Sequence, residues 1–185
     1  SQELASVRIT GDDGTSRPLV ASDQLLAPSH LTPPPSQSPD LRPPLLAAGA
    51  AIALLLVLTG RSRHRWARRT STLLATLWLV IAGLAGLLML GLWFLTAHQA
   101  AWANANLLLF NPLAWLLIPA LWRTATTHRD QLVAWLLVLL SGIGLLANLT
   151  GLIAQRNMPW ILLALPVYLA LAHVVRNRLD VSGKR

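Results

Sequence analysis

The sequence has no cysteine. That excludes a disulfide framework, a thiolate metal site and a cysteine nucleophile within the chain. Charge is scarce as well: 12% of the 185 residues are Asp, Glu, Lys or Arg, about half the quarter that a soluble domain carries. The five histidines are scattered and no carboxylates cluster. No metal-ligand spacing results, and no metal or other cofactor is expected. What the chain has in place of these is apolar content, 54% of its residues, and that combination points to a membrane protein.

The net charge of +8 is unevenly placed. Residues 1–44 hold Glu3, Asp12, Asp13, Asp23 and Asp40 against Arg8, Arg17 and Arg42, a net of −2. Residues 45–185 hold twelve basic residues against Asp130 and Asp180, a net of +10. Nucleic acid is the usual partner of a basic chain. Here the arginines sit between apolar runs of membrane length, so orientation in a bilayer accounts for them and no nucleic-acid partner is expected.

The pattern predicts an all-α membrane protein, a bundle of five transmembrane helices, with a short β-hairpin and a Pro-rich tail at the N-terminus. Residues 4–10 read as a strand, Gly11-Asp12-Asp13-Gly14 as a turn and 15–20 as the return strand. A lone hairpin is marginal in water, and the first residue is Ser rather than Met. Residues 1–26 are therefore expected to be the last hairpin of an outside domain missing from this chain, removed by processing or otherwise. Seven prolines fall in residues 27–44 and predict an extended spacer. Residues 45–175 carry apolar stretches at roughly 45–60, 72–97, 107–122, 132–154 and 160–175. About 20 apolar residues are needed to cross a bilayer as a helix. Residues 176–185 are expected to form a basic tail.

The loops set the expected orientation. Arg61, Arg63, Arg65, Arg68 and Arg69 lie between the first two stretches, and Arg123 and Arg129 between the third and fourth. Arg176, Arg178, Lys184 and Arg185 follow the fifth, whereas segments 98–106 and 155–159 hold only Arg156. By the positive-inside rule the N-terminus is outside, that is periplasmic in a bacterial inner membrane, and the C-terminus is cytoplasmic. Tryptophans follow the same frame. Trp66, Trp78, Trp122 and Trp135 fall near the cytoplasmic edge, Trp93, Trp102 and Trp160 near the outer one, and Trp115 lies within a span. No apolar stretch contains Asp, Glu, Lys or Arg, and pumps and coupled transporters normally rely on such residues.

The densest polar group in the membrane part is Thr96, His98, Gln99, Trp102, Asn104, Asn106 and Asn111. Amides at membrane depth are costly unless they find partners. One explanation is local: Asn104 and Asn106 cap or bridge a short loop, and His98 ends the second helix. The other is a polar pocket at the outer leaflet, binding a lipid headgroup or an acyl-ester carbonyl through His98, Trp102, Asn104, Asn106 and Asn111. Asn148 joins that group if its helix packs beside it. Otherwise Asn148, Ser141 and Thr150 glue helices together, aided by Gly83, Gly86, Gly91, Gly142, Gly144 and Gly151. Asn111-Pro112 also reads two ways. The simpler is a continuous third helix kinked at Pro112. The alternative starts the helix at Pro112, so that Leu107 to Phe110 cross non-helically and free N–H groups face a cavity suited to an anion or oxyanion.

Over residues 96–113 the sequence resembles the C-terminal membrane module of the DUF4105, or Lnb-like, proteins. The matching positions are Thr96 and His98, then Asn104, Asn106, Leu107 and Leu108, then Asn111, Pro112 and Leu113. The resemblance extends to five spans, an outside N-terminus, and a preceding hairpin and Pro-rich spacer. It implies a bacterial lipoprotein N-acyltransferase or a relative, in which a periplasmic Cys- and His-containing domain acts on lipoprotein N-termini. The partners implied are membrane lipids, a lipoprotein substrate and the missing periplasmic domain. No nucleophile carries over, since this chain has no Cys, and alone it is expected to be catalytically inert. His98, Asn104, Asn106 and Asn111 carry over as motif positions. Amide donors of this kind stabilise oxyanions by about 10²–10³ in rate elsewhere, and His98 is suited to acid–base work or to orienting a lipid phosphate. The competing expectation is a non-catalytic anchor, or an interaction subunit of a larger membrane complex.

Overall fold

A computed structural model of the chain describes residues 7–12, 14–20, 39–96, 104–153, 155 and 157–182. They belong to two units, divided at residue 39, that are treated separately. The first contains the expected hairpin in shortened form. Strand β1 (Arg8–Thr10) pairs antiparallel with β2 (Ser16–Pro18), with Ile9 opposite Arg17. Gly14 turns the chain with φ +80°, a conformation that glycine adopts without strain. The Arg8 guanidinium clamps the pair by donating to Ser16 Oγ at 3.0 Å. Of the Pro-rich spacer, residues 27–38 lie outside the described residues.

The second unit is helical. Five segments are long and apolar enough to cross a membrane. Helix α1 (Arg42–Arg61) starts inside the expected spacer, because Pro43 and Pro44 occupy its first turn. There a proline's missing N–H costs nothing and its fixed φ already suits a helix. Just ahead of it, the Arg42 backbone amide and then its guanidinium donate to Asp40, holding that carboxyl below the usual carboxylate range. Helix α2 (Arg65–Leu95) has 31 residues, roughly 46 Å at 1.5 Å per residue. It exceeds the ~30 Å hydrocarbon layer, so its arginine-bearing first turns, expected to be loop, extend beyond it. The third segment spans Ala105–Trp122 and ends in the short helix α3 (Ile118–Trp122). Helix α4 (His128–Leu149) opens with a capping box between Thr127 and Asp130. Helix α5 (Met158–Ser182) contains Pro166 and absorbs part of the expected tail.

Helix α5 is the centre of the bundle. Ile161, Ala164, Val167, Tyr168, Leu171, Ala172 and Val175 are buried along it. The other helices bury a stripe and expose leucines such as Leu58, Leu88, Leu132 and Leu146, as lipid-facing helices do. Helix α1 rests against α5 at Gly49, where a Cβ would lie 2.5 Å from the Leu163 carbonyl oxygen. That close approach is why glycine stands there.

Hydrogen bonds identify the two ends of the bundle. At one end, Ser71 Oγ donates to Leu56 O, Thr126 Oγ1 to Val175 O, and Arg178 Nη1 to Leu121 O. This is the basic end. The opposite end is where the third segment begins, α4 finishes and α5 starts. Trp78, expected near the basic edge, instead turns inward: its ring packs edge-on against Tyr168 at 6.1 Å and tilted against Phe110 at 6.4 Å. The aromatic surface it buries favours the core over the interface.

Candidate functional site at the amide end

The third segment does not run as one helix. Asn104 adopts an extended conformation and its Oδ1 accepts from the Asn106 amide at 3.0 Å, starting a 3₁₀ turn over Ala105–Leu108. That turn closes at Phe110. Asn111 is again extended, at φ −126° and ψ 134°, as a residue before proline is driven to be. A second 3₁₀ segment, Pro112–Leu117, leads into α3. The continuous kinked helix expected across Pro112 is therefore replaced by two short tight turns and a break. Proline supplies no N–H, Asn111 offers its side chain as a substitute cap, and local bonding wins over the helical ladder.

The free N–H groups anticipated at Pro112 are already used. Asn111 Oδ1 accepts from Leu113 N at 3.0 Å, and Asn111 O accepts from Ala114 N at 2.9 Å. Asn111 Nδ2 donates back to Leu107 O at 3.2 Å. Asn111 is thus a brace across the break.

Two neighbouring helices hold the broken segment in place. Tyr168 of α5 donates its hydroxyl to Leu109 O at 2.7 Å in a fully buried contact. On α2, a Cβ at Gly86 would lie 2.5 Å from Phe110 O and 2.7 Å from Pro112 Cδ. A Cβ at Gly83 would overlap the Trp115 indole, whose Nε1 donates to Val80 O at 3.4 Å. These two glycines serve as expected of small residues. Gly91 and Gly142 face open space instead.

The remaining amides form one network. Gln155 Nε2 donates to Asn104 Oδ1 at 3.0 Å, while Gln155 Oε1 accepts from Ala105 N at 2.8 Å. Asn148 Nδ2 donates to Gln155 O at 3.0 Å and to Asn157 Oδ1 at 2.8 Å. So Asn148 does join the cluster, through residues 155 and 157 rather than directly. Ser141 is buried with its hydroxyl unpartnered, and Thr150 bonds back to Leu146 O in its own helix. Gln155 and Asn157 are the members that sequence reasoning missed. The signal was available: segment 155–159 falls on the same side as 98–106 once the loops are sorted by charge. His98 and Trp102 lie outside the described residues.

Two amide atoms in this region are buried and have no partner, Asn106 Oδ1 and Asn157 Nδ2. One is an acceptor and the other a donor. Asn157 is 1% exposed. Buried polar groups are normally satisfied, and each exception calls for an explanation.

Comparison with known proteins adds one identification. The family model described as the Lnb transmembrane domain matches residues 36–179. No curated protein and no solved structure matches the chain.

Proposed function

The chain belongs to the Lnb transmembrane domain family, and from that premise we propose that it is the membrane module of an Lnb-like, DUF4105-type bacterial lipoprotein N-acyltransferase. In this reading it sits in the inner membrane with its N-terminus periplasmic. The amide end faces the outer leaflet and positions lipid or lipoprotein substrate for a separate periplasmic catalytic domain.

The observation that supports this is the pair of unspent amide atoms. Asn104, Asn111, Asn148 and Gln155 use their amides on one another and on backbone. They build a frame that keeps a non-helical segment at membrane depth, which is tolerated only where the backbone is buried in protein or lines a cavity. Within that frame Asn106 Oδ1 offers an acceptor and Asn157 Nδ2 a donor. Each would be complemented by a polar group at headgroup depth, such as an amine-bearing headgroup or an acylated amino terminus supplies. His98 and Trp102, on the preceding segment, complete the proposed binding group.

The test uses the full-length protein. Asn106→Leu removes one unspent group while keeping side-chain bulk. Asn157→Leu removes the other and also the acceptor of Asn148 Nδ2, so Asn106→Leu is the decisive variant. Lipoprotein N-acylation is read by mass spectrometry of lipoprotein N-terminal peptides, with membrane-inserted protein quantified in parallel. The expected result is at least a tenfold loss of N-acylation at unchanged insertion. Full activity in both inserted variants refutes the reading. It would favour instead a non-catalytic anchor or an interaction subunit, for which an internally bonded amide frame is enough.

A further inference from the structure

The basic end carries a feature that the proposed function does not use. A groove of about 1330 Å³ opens where the end of α1, the start of α2, the end of α3 and the end of α5 meet. It exceeds the ~300–1,000 Å³ typical of small-molecule sites. Seven arginines line it: Arg61, Arg63, Arg65, Arg68, Arg69, Arg123 and Arg178.

Seven guanidinium groups around one groove repel one another unless an anion is present. Among the described side chains, only Arg123 of the seven has a carboxylate partner, Asp130 at 2.8 Å. Sorting of positive charge to one face would account for arginines in loops. It does not account for Arg178, which leaves the loops and reaches into the groove from α5. Its Nη1 donates to Leu121 O at 2.8 Å and its Nη2 to Thr72 Oγ1 at 3.2 Å. Those bonds fix the guanidinium plane, and a fixed fork is the group suited to a phosphate.

The groove also has an apolar wall. Leu73 and Trp122 line it and are 57% and 61% exposed. Trp122 is held in place by donating to Thr76 Oγ1 at 3.1 Å. A free phosphate gains nothing from such a wall, whereas an acyl chain hanging from a headgroup lies along it. Basic pockets between transmembrane helices at a membrane interface are the usual receptors of anionic headgroups.

We propose that this groove binds the phosphodiester headgroup of an anionic phospholipid, with the arginines around the phosphate and one acyl chain along Leu73 and Trp122. The site stands apart from the amide end and independently of the acyl-transfer reading. The lipid bound here is a fixed component of the bundle rather than a substrate.

The test titrates the purified full chain in non-ionic detergent and reads its thermal unfolding. Four probes are compared: phosphatidylglycerol, phosphatidylcholine, chain-free glycerophosphoglycerol and inorganic phosphate. The expected result is a saturable rise in unfolding temperature with phosphatidylglycerol alone. R61Q/R68Q should weaken its apparent affinity at least tenfold. R129Q/R176Q, which removes equal charge from exposed positions outside the groove, should leave it within twofold. If R61Q/R68Q does not fold, R63Q/R65Q tests the same groove. An equal response to either chain-free probe overturns the proposal in favour of a free-anion site. Equal weakening by both variant pairs overturns it in favour of diffuse surface charge, and no response to phosphatidylglycerol overturns it outright.

Discussion

Substituting Gly86 by alanine tests the broken third segment most directly. In a helix interior this change is normally favourable by about 0.8–1.0 kcal/mol, since alanine restricts the unfolded backbone more and forms helix better. At Gly86 the new methyl would stand 2.7 Å from Pro112 Cδ and 2.5 Å from Phe110 O. Carbon atoms in contact sit about 3.5–4.0 Å apart, so the overlap is close to 1 Å. Neither neighbour yields easily. One is a proline ring and the other a main-chain oxygen, and both belong to a segment pinned by Asn111 and by the Tyr168 hydroxyl. Overpacking against rigid atoms costs about 1–3 kcal/mol, and here the upper half of that range applies. Subtracting the helix gain leaves a net loss of about 1–2 kcal/mol, a factor of about 5–30 in the folded-to-unfolded ratio. Gly91, on the same helix, has nothing within 4 Å of its Cβ position, so Gly91→Ala should stabilise by about 0.5–1 kcal/mol. Reversible unfolding in mixed micelles, followed by circular dichroism as SDS is raised, measures both. The two substitutions should move the midpoint in opposite directions. If Gly86→Ala is neutral or stabilising, the third segment does not press its break against α2, and the amide frame built on that contact is wrong.

Other perturbations have definite expected outcomes in the same assay. Tyr168→Phe removes the 2.7 Å bond to Leu109 O and leaves that carbonyl buried, for a loss of about 1–2 kcal/mol with no change in insertion. Asn148→Leu cuts two bonds at once. At about 0.6–1.7 kcal/mol each in a membrane protein, it should destabilise by roughly 1–3 kcal/mol and speed proteolysis of the 150–157 loop. Thr127→Ala breaks the α4 capping box and should cost about 1 kcal/mol. Because the chain has no cysteine, a single introduced one reports topology unambiguously: Thr150→Cys should react with an impermeant maleimide in spheroplasts, and Thr124→Cys only after the membrane is opened. The reverse pattern would invert the proposed orientation.

The spans were legible because apolar runs and arginine-rich loops are long-range patterns that tertiary packing does not override. Their limits were less so. Arg65 to Arg69 read as loop by charge, yet arginine and alanine are good helix formers, and a helix continues past the hydrocarbon layer wherever its side chains reach water. Pro43 and Pro44 read as spacer, although the same residues suit a first helical turn. Asn111-Pro112 held the break in plain view. Choosing between a kink and a break, however, depended on Gly86, Gly83 and Tyr168, which are 25 to 57 positions away from Asn111 in the chain. For the amide cluster, the motif at 104–111 was visible as a local density of asparagine. Gln155 and Asn157 form no such local density, and the signal they carry is the weaker one that their loop shares a side with 98–106. Trp78 failed for the opposite reason: a tryptophan near a span edge has a strong interfacial prior, and only its neighbours Phe110 and Tyr168 reveal it as core.

A single apolar helix is enough to tether a domain to a membrane. This bundle has five spans and devotes its most buried helix, two α2 glycines and a chain of four side-chain amides to one segment that is not a regular helix. A break at membrane depth exposes backbone groups that a straight helix would satisfy by itself, and each left unpaired costs several kcal/mol. Tyr168, Asn111, Asn104 and Gln155 cover that cost one group at a time. A continuous helix would need none of them and would be simpler to stabilise. The break is the feature that the proposed substrate-positioning role would use. Asn106 Oδ1 on that segment and Asn157 Nδ2 beside α5 are buried without an internal partner, as are Ser141 Oγ and Trp78 Nε1, and of these the two amides are the ones at the end the proposed function uses.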